Sequence, residues 1–234
     1  KNYKPLSKKT ILRLYSTFME AKLWGPKSPI RVYYTQPWYH YTNWIPNVVI
    51  ADDLLKADLV LFLGGEDVDP IVYDQNKHPK TFSNIERDRH EIKFMEIAFK
   101  RNIPMLGICR GSQFLCACAA KGMLVQDQPN PGPHLMKTFD GKEFMVSSTH
   151  HQAQYPFNMS KEDYKILGWT ENLLKHHEDG DGKELNPSVE CEVVAYPTMN
   201  ALGIQPHPEM LDYYSPANEW FRERLYELLN GELV

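Results

Sequence analysis

Gly107-Ile108-Cys109-Arg110-Gly111 sets a thiol midway between two glycines. The run before it, Ile103-Pro104-Met105-Leu106, is short and apolar, as suits a buried parallel strand. The run after it, Ser112 to Ala120, is small or apolar and stops at Gly122, as suits a helix with a glycine terminator. Strand, sharp turn and helix make a nucleophile elbow, in which glycines allow the tight bend and the central side chain projects outward. Here that side chain is a thiol at the first turn of a helix, where the dipole and free N–H groups favour a thiolate. The chemistry is covalent catalysis. A cysteine between glycines can also be mere packing, so the elbow alone does not decide.

A second motif, Gln205-Pro206-His207-Pro208-Glu209, follows the apolar run Ala201-Leu202-Gly203-Ile204. A histidine two residues before a carboxylate, between prolines that stiffen the backbone, suits a general base held by its orienting group. Most single histidines are structural or solvated. Paired with the elbow, His207 is the best base candidate among nine histidines. The sequence leaves open whether Glu209 or Glu192 orients it.

With Gly64-Gly65-Glu66-Asp67-Val68-Asp69-Pro70, Tyr73, Arg87-Asp88, Glu91, Ser112-Gln113 and Ser148-Thr149-His150-His151-Gln152, these motifs carry a resemblance. The chain resembles the class I glutamine amidotransferases, and within them most of all the γ-glutamyl-γ-aminobutyrate hydrolase (peptidase C26-like) branch. The resemblance spans roughly residues 58 to 210 and implies the following roles. Cys109 is the nucleophile that attacks the side-chain carbonyl of a γ-glutamyl amide and forms a thioester. His207 is the base and Glu209 its orienter. The N–H groups of Gly65 and Arg110 form the oxyanion hole, and Gln113 and His151 contact substrate. No cofactor or metal is called for. Pro206 stands where the hydrolase branch usually has tryptophan, so the leaving-group pocket is not defined by the resemblance.

These residue types fit the chemistry. An amide carbonyl resists attack, so donors must await the developing oxyanion, each worth roughly 2.7–4 kcal/mol where tested. A histidine that protonates the leaving amine gives about 10²–10⁴-fold.

The elements that must position these motifs alternate between strand and helix. That pattern predicts an α/β fold: a doubly wound, mostly parallel sheet with flanking helices, flavodoxin-like. Ser7 to Leu23 reads as an amphipathic helix stopped by Gly25, in an N-terminal extension of residues 1–29; residues 30–234 read as one catalytic domain. Ile30 to Thr35 and Leu59 to Leu63 read as strands. Ser83 to Lys100 reads as a helix opened by a Ser83–Glu86 capping box, with Ile92, Met95 and Phe99 facing the core. Residues 124 to 149 read as short antiparallel pieces, and the last helix runs from an N-cap at Ser215 to Gly231.

At 234 residues, 42% hydrophobic and net charge −4, the chain can bury a full core and shows no basic stripe for nucleic acid. It has no apolar run near the roughly 20 residues that span a membrane and no secretory signal at its start. Four cysteines are too few for a disulfide framework, which points to a reducing, cytoplasmic setting; Cys116 and Cys118 read as core residues, and Cys191 receives no role.

Three sharper readings compete with blander ones. Asp179 to Glu190 fails as a calcium loop because Lys183 and Glu184 occupy the fifth and sixth positions, so it reads as a solvated acidic loop. His150 and His151, if neighbours on a strand, point to opposite faces and suit a substrate wall better than zinc. Trp38, Tyr39, Tyr41 and Trp44 read as a folded lid or interface before a stacking platform.

The expectation is a free-standing hydrolase of glutamine or a γ-glutamyl amine. The alternative is a glutaminase subunit delivering ammonia to a separate synthetase, since the chain carries no nucleotide loop of its own; homo-oligomers are also compatible. A non-catalytic scaffold is disfavoured by the intact Cys109, His207 and Glu209, and a general peptidase by the γ-glutamyl resemblance.

Overall fold

The computed structural model describes residues 28–126, 132–171 and 177–233. The helix expected at Ser7–Leu23, and nearly all of the 1–29 extension, lie outside the described residues.

Leu59–Phe62 and Met105–Ile108 are unbroken apolar runs because both of their faces are covered. Along the first, Leu59 and Leu61 join one core cluster while Val60 and Phe62 join another. That alternation is the period of a strand buried on both sides. These two strands, β3 and β4, belong to a nine-stranded sheet. Its other members are β1 (Ile30–Tyr34), β2 (Val48–Ile50), β6 (His134–Thr138), β7 (Glu143–Val146), β9 (Lys165–Thr170), β10 (Glu190–Tyr196) and β11 (Ala201–Ile204). The strand order is β2-β1-β3-β4-β11-β10-β9-β6-β7. From β2 to β11 neighbours are parallel; from β11 to β7 they are antiparallel. The doubly wound α/β expectation holds, with the parallel half carrying the site. The antiparallel pieces expected in 124–149 divide: β6 and β7 extend the main sheet, while β5 (Met123–Val125) pairs with β8 (Ala153–Tyr155) in a small separate sheet.

Helices cover both faces. α1 (Ile85–Arg101) and α2 (Arg110–Cys118) contribute Ala98, Phe114 and Leu115 to one cluster. α3 (Pro216–Asn230) contributes Trp220, Phe221 and Leu225 to the other. α3 opens and closes as expected: the Ser215 hydroxyl accepts from the Asn218 N–H at 3.2 Å, and Gly231 ends the helix at φ +71°.

α1 departs from expectation twice. Its N-cap is Asn84, whose side chain accepts from the Arg87 N–H; Ser83 instead donates to Asp69 at 2.7 Å. Its buried stripe is Arg87, Asp88, Glu91 and Ala98, with Ile92 and Met95 half-buried and Phe99 exposed. The inward face of its first turns is ionic.

Cys116 and Cys191 are core residues and Cys118 is half-buried; all three are free thiols, and burial pushes Cys116 up to about 11. The aromatic segment does not form one patch. Tyr41 and Trp44 are buried, and Trp38 and Tyr39 are exposed. No described helix is long and apolar enough to cross a membrane.

Candidate active site

Three neighbouring parallel strands aim their C-terminal ends at one place. β3 leads into Gly65, β4 ends one residue before Cys109, and β11 ends shortly before His207. Ile108 lies in register with Ile204, so the segments carrying Cys109 and His207 leave the sheet side by side. The crevice at the carboxyl ends of parallel strands is the usual place for a site in such sheets.

The elbow is real in its backbone. Cys109 sits at φ 53°, ψ −113°, a conformation that L-residues adopt rarely and that stores strain. Its N–H donates to the Ile204 carbonyl at 2.8 Å, and its carbonyl accepts from the Ser112 N–H and hydroxyl. The flanking glycines are there for space: a Cβ on Gly107 would stand 2.3 Å from the Gly111 carbonyl oxygen, and one on Gly111 would stand 2.1 Å from that of Phe62. Cys109 is the N-cap of α2, with its side chain making no cap bond.

His207 is buried, and its Nδ1 pairs with Glu209 Oε1 at 2.6 Å. That contact occupies Nδ1 and leaves the buried Nε2 for the neighbouring Cys109. Burial works against charge on the ring, but the neighbouring Cys109 and Glu209 outweigh it and raise His207 to about 10. Glu192 does not take this role, because its Oε1 pairs with His134 Nε2 at 2.7 Å. From the other side, the Tyr41 ring stands 6.0 Å from that of His207. Burial first, then Glu209 and Cys109, raise its phenol to about 12, so it stays protonated.

A pocket of about 170 Å³ opens beside the thiol, lined by Gly65, Cys109, Arg110, Gln113 and His151 together with Glu66, Asp67, Phe82, Thr149 and His150. The structure thus gathers five of the residues read from the sequence around one cavity, with His207 beside Cys109 and Glu209 behind it on Nδ1. Gln113 is buried, and its Nε2 donates to the Gln152 carbonyl at 2.7 Å, which ties its amide inward. His151 Nε2 pairs with Asp67 at 2.9 Å across the cavity wall. Residues 147–150 are not in a strand, so the argument from opposite strand faces does not apply to the two histidines. They part because His150 Nδ1 turns to the Gln152 carbonyl while His151 turns to Asp67. Burial holds His150 below the usual histidine range. Among the described residues, no group of three His, Cys, Asp or Glu side chains could hold a metal. The acidic loop is docked: Asn76 donates to Asp181 at 2.6 Å, and His78 pairs with Glu178 at 2.9 Å.

One layer behind the pocket lies an ionic cluster to which sequence reasoning assigned no task. Arg110 pairs with both Asp88 and Glu91, and Arg87 pairs with Glu91 at 3.2 Å and with Glu66 at 2.9 Å. Arg87 Nη2 also donates to the carbonyls of Leu63 at 3.0 Å and Gly64 at 2.8 Å. Gly65, at φ +128°, lies against it: a Cβ there would stand 2.3 Å from Arg87 Nη1. The sequence signal was present in the opposite charges of Arg87 and Glu91, spaced one helical turn apart.

Residues 45–134 match the Peptidase C26 family model. The chain is 27% identical over 209 residues to the glutamine amidotransferase-like protein YvdE of Lactococcus lactis subsp. lactis, covering 79% of this chain and 78% of that protein. It is 31% identical over 128 residues to the YvdE homolog of Lactococcus lactis subsp. cremoris, covering 44% of this chain and 67% of the relative. In fold it is similar to a glutamine amidotransferase of Thermotoga maritima, with a TM-score of 0.52 at 16% identity over 88% of this chain and 86% of that one. On sequence and fold together, the chain belongs to the class I glutamine amidotransferase superfamily.

Proposed function

We propose that this protein hydrolyses a γ-glutamyl amide, glutamine or a γ-glutamyl amine, through a thioester at Cys109. The observation that carries the reading is a strained elbow cysteine that lines one small pocket and neighbours a buried His207–Glu209 pair.

The proposed reaction has two halves. With the proton of the pair held on His207, as its rise to about 10 favours, the Cys109 sulfur attacks the amide carbon. The carbonyl π pair moves onto oxygen, which the N–H groups of Gly65 and Arg110 receive. Collapse of this tetrahedral species breaks the C–N bond, and the imidazolium returns its proton to the departing amine. Water then adds to the thioester carbon, giving a proton to His207. The second collapse expels the thiolate, which is reprotonated, and glutamate leaves. Glu209 holds the Nδ1–H tautomer and offsets the imidazolium charge in both halves. Gln113 and His151 line the wall that would face the glutamyl α-amino and carboxylate groups.

The test is glutamate release from glutamine and from a panel of γ-glutamyl amines, with Cys109→Ala as control. Rapid release from one amide, abolished by the substitution, supports a free-standing hydrolase and names its leaving group. Slow release from all of them, with Cys109 still alkylated by a glutamine-like electrophile, supports a glutaminase subunit that needs its synthetase. Absence of both labelling and turnover overturns the enzymatic reading.

A further inference from the structure

Glu91 has both carboxylate oxygens committed, and the two lead to opposite halves of the proposed oxyanion hole. Oε1 accepts from Arg87 Nε at 3.2 Å and from the Thr35 hydroxyl at 2.9 Å. Oε2 accepts from Arg110 Nη1. Glu91 is fully buried, and both arginines are nearly so.

On the first side, Arg87 Nη2 reaches the Gly64 carbonyl at 2.8 Å. That carbonyl and the Gly65 N–H belong to one peptide plane. In a trans peptide the C=O and N–H point opposite ways, so drawing Gly64 O toward Arg87 aims the Gly65 N–H away from it. The contact with Leu63 O at 3.0 Å fixes the preceding peptide as well. On the second side, the Arg110 side chain is gripped by Glu91 and Asp88, while its backbone N–H follows Cys109 in the elbow. Asp88 is anchored in turn by the Asp69 N–H at 2.9 Å.

A buried ionic cluster adds little stability over an apolar filling of the same volume, because desolvating the charges offsets their attraction. What an apolar filling would not do is hold two peptide groups at a set distance. Oxyanion donors act only within roughly 2.7–3.1 Å of the developing charge. A misplacement of about 1 Å can cost about 100-fold.

We propose that Glu91 is a positioning residue which, through Arg87 and Arg110, sets the spacing and aim of the Gly65 and Arg110 N–H donors. The proposal rests on the thioester reading above and adds to it a residue that touches neither substrate nor nucleophile.

The test uses the purified full chain with γ-glutamyl-p-nitroanilide and with iodoacetamide. In the second reaction the Cys109 sulfur displaces iodide from carbon, and no oxyanion forms. Glu91→Gln keeps the shape but loses the charge and one acceptor. The expected result is a fall in kcat of about tenfold or more, with KM and the Cys109 alkylation rate each within about threefold of the parent. An unchanged kcat overturns the proposal. So does a parallel fall of kcat and alkylation rate, which would mark a merely structural role. Should Glu91→Gln lose cooperative thermal unfolding, Arg87→Lys keeps a cation between Glu66 and Glu91 but not the planar fork that spans two carbonyls. The same split is expected, and an unchanged kcat again overturns the idea. A parent protein that turns over no γ-glutamyl amide overturns the functional reading and this one together; an active parent with unaffected variants overturns only this one.

Discussion

His207 Nδ1 and Glu209 Oε1 stand 2.6 Å apart across the single residue Pro208, which opens a one-turn 3-10 helix over Pro208–Met210. The histidine and the carboxylate are therefore brought together within one short turn, and distant residues brace it, with the Ser147 hydroxyl accepting from the His207 N–H at 2.9 Å. Asn218 reinforces the turn by donating to the Pro208 carbonyl at 3.1 Å.

Glu209→Gln retains the shape and removes the charge. His207 is raised to about 10 with the help of this carboxylate, so its protonated form persists at neutral pH and is lost as pH rises through that value. Without the charge, deprotonation begins at lower pH. The alkaline fall of kcat/KM is expected to move toward acid by about one unit or more, with kcat down roughly 10²–10⁴-fold. A pH–rate profile of the two proteins checks both, and an unmoved alkaline limb counts against the pairing.

Gly65→Ala meets two obstacles at once. The φ of +128° disfavours any side chain, and the new methyl group would lie 2.3 Å from Arg87 Nη1. Arg87 cannot swing aside without breaking bonds to Glu66, Glu91, Leu63 and Gly64. Loss of about 1–3 kcal/mol of stability is expected. A fall in kcat of order 10²–10³ should accompany it if the N–H is an oxyanion donor. Urea denaturation and steady-state kinetics give the two numbers separately.

Cys109 carries strain that belongs to its position. Alanine normally beats glycine in stability because it has less backbone entropy to lose. At φ 53°, ψ −113° the order should reverse, with Cys109→Gly more stable than Cys109→Ala by about 1 kcal/mol and both inactive. Equal or inverted unfolding midpoints would argue that the elbow is relaxed.

Arg110→Met removes the cation shared by two buried carboxylates. Breaking one partner of a buried pair typically costs about 3–5 kcal/mol, and here Asp88 and Glu91 are both left facing the gap. Burial already raises Asp88 against the pull of Arg110, so without that arginine its neutral form is favoured further. The sign follows: the raised carboxyl binds protons in the folded state, so the destabilisation should shrink as pH falls. Thermal unfolding at several pH values checks this, and a deficit that grows toward acid contradicts it.

The runs at 59–63 and 201–204 were readable as strands because burial on both faces leaves them almost uniformly apolar, whereas the run at 103–106 marked a strand that begins two residues later, at Met105–Ile108. The caps of α3 were readable because Ser215-Pro216 and Gly231 act within one turn. The first turns of α1 were misread for the opposite reason. An apolar stripe through Ile92 and Met95 points inward to Phe99, yet Phe99 is exposed while Arg87, Asp88 and Glu91 are buried. Arg87 and Glu91 pair within the helix, but Asp88 and the second oxygen of Glu91 meet Arg110 from another helix, and no local pattern announces that partner. The depth of Trp44 was not legible for a similar reason: it is buried against Phe221, with ring centroids 6.4 Å apart, a contact between distant parts of the chain.

Sequence alone determined the two chemical units, the thiol between glycines and the histidine two residues from a carboxylate, since each is built within about five residues and needs only its own backbone. Tertiary structure decided that they meet, because β4 and β11 become parallel neighbours with Ile108 opposite Ile204. It also decided which carboxylate meets the His207 ring, turning Glu192 to His134 and leaving Glu209 for His207. The same holds for the cluster around Glu91. Hydrogen bonds and ion pairs act over about 3 Å, and only the folded sheet brings groups far apart in the chain within that range.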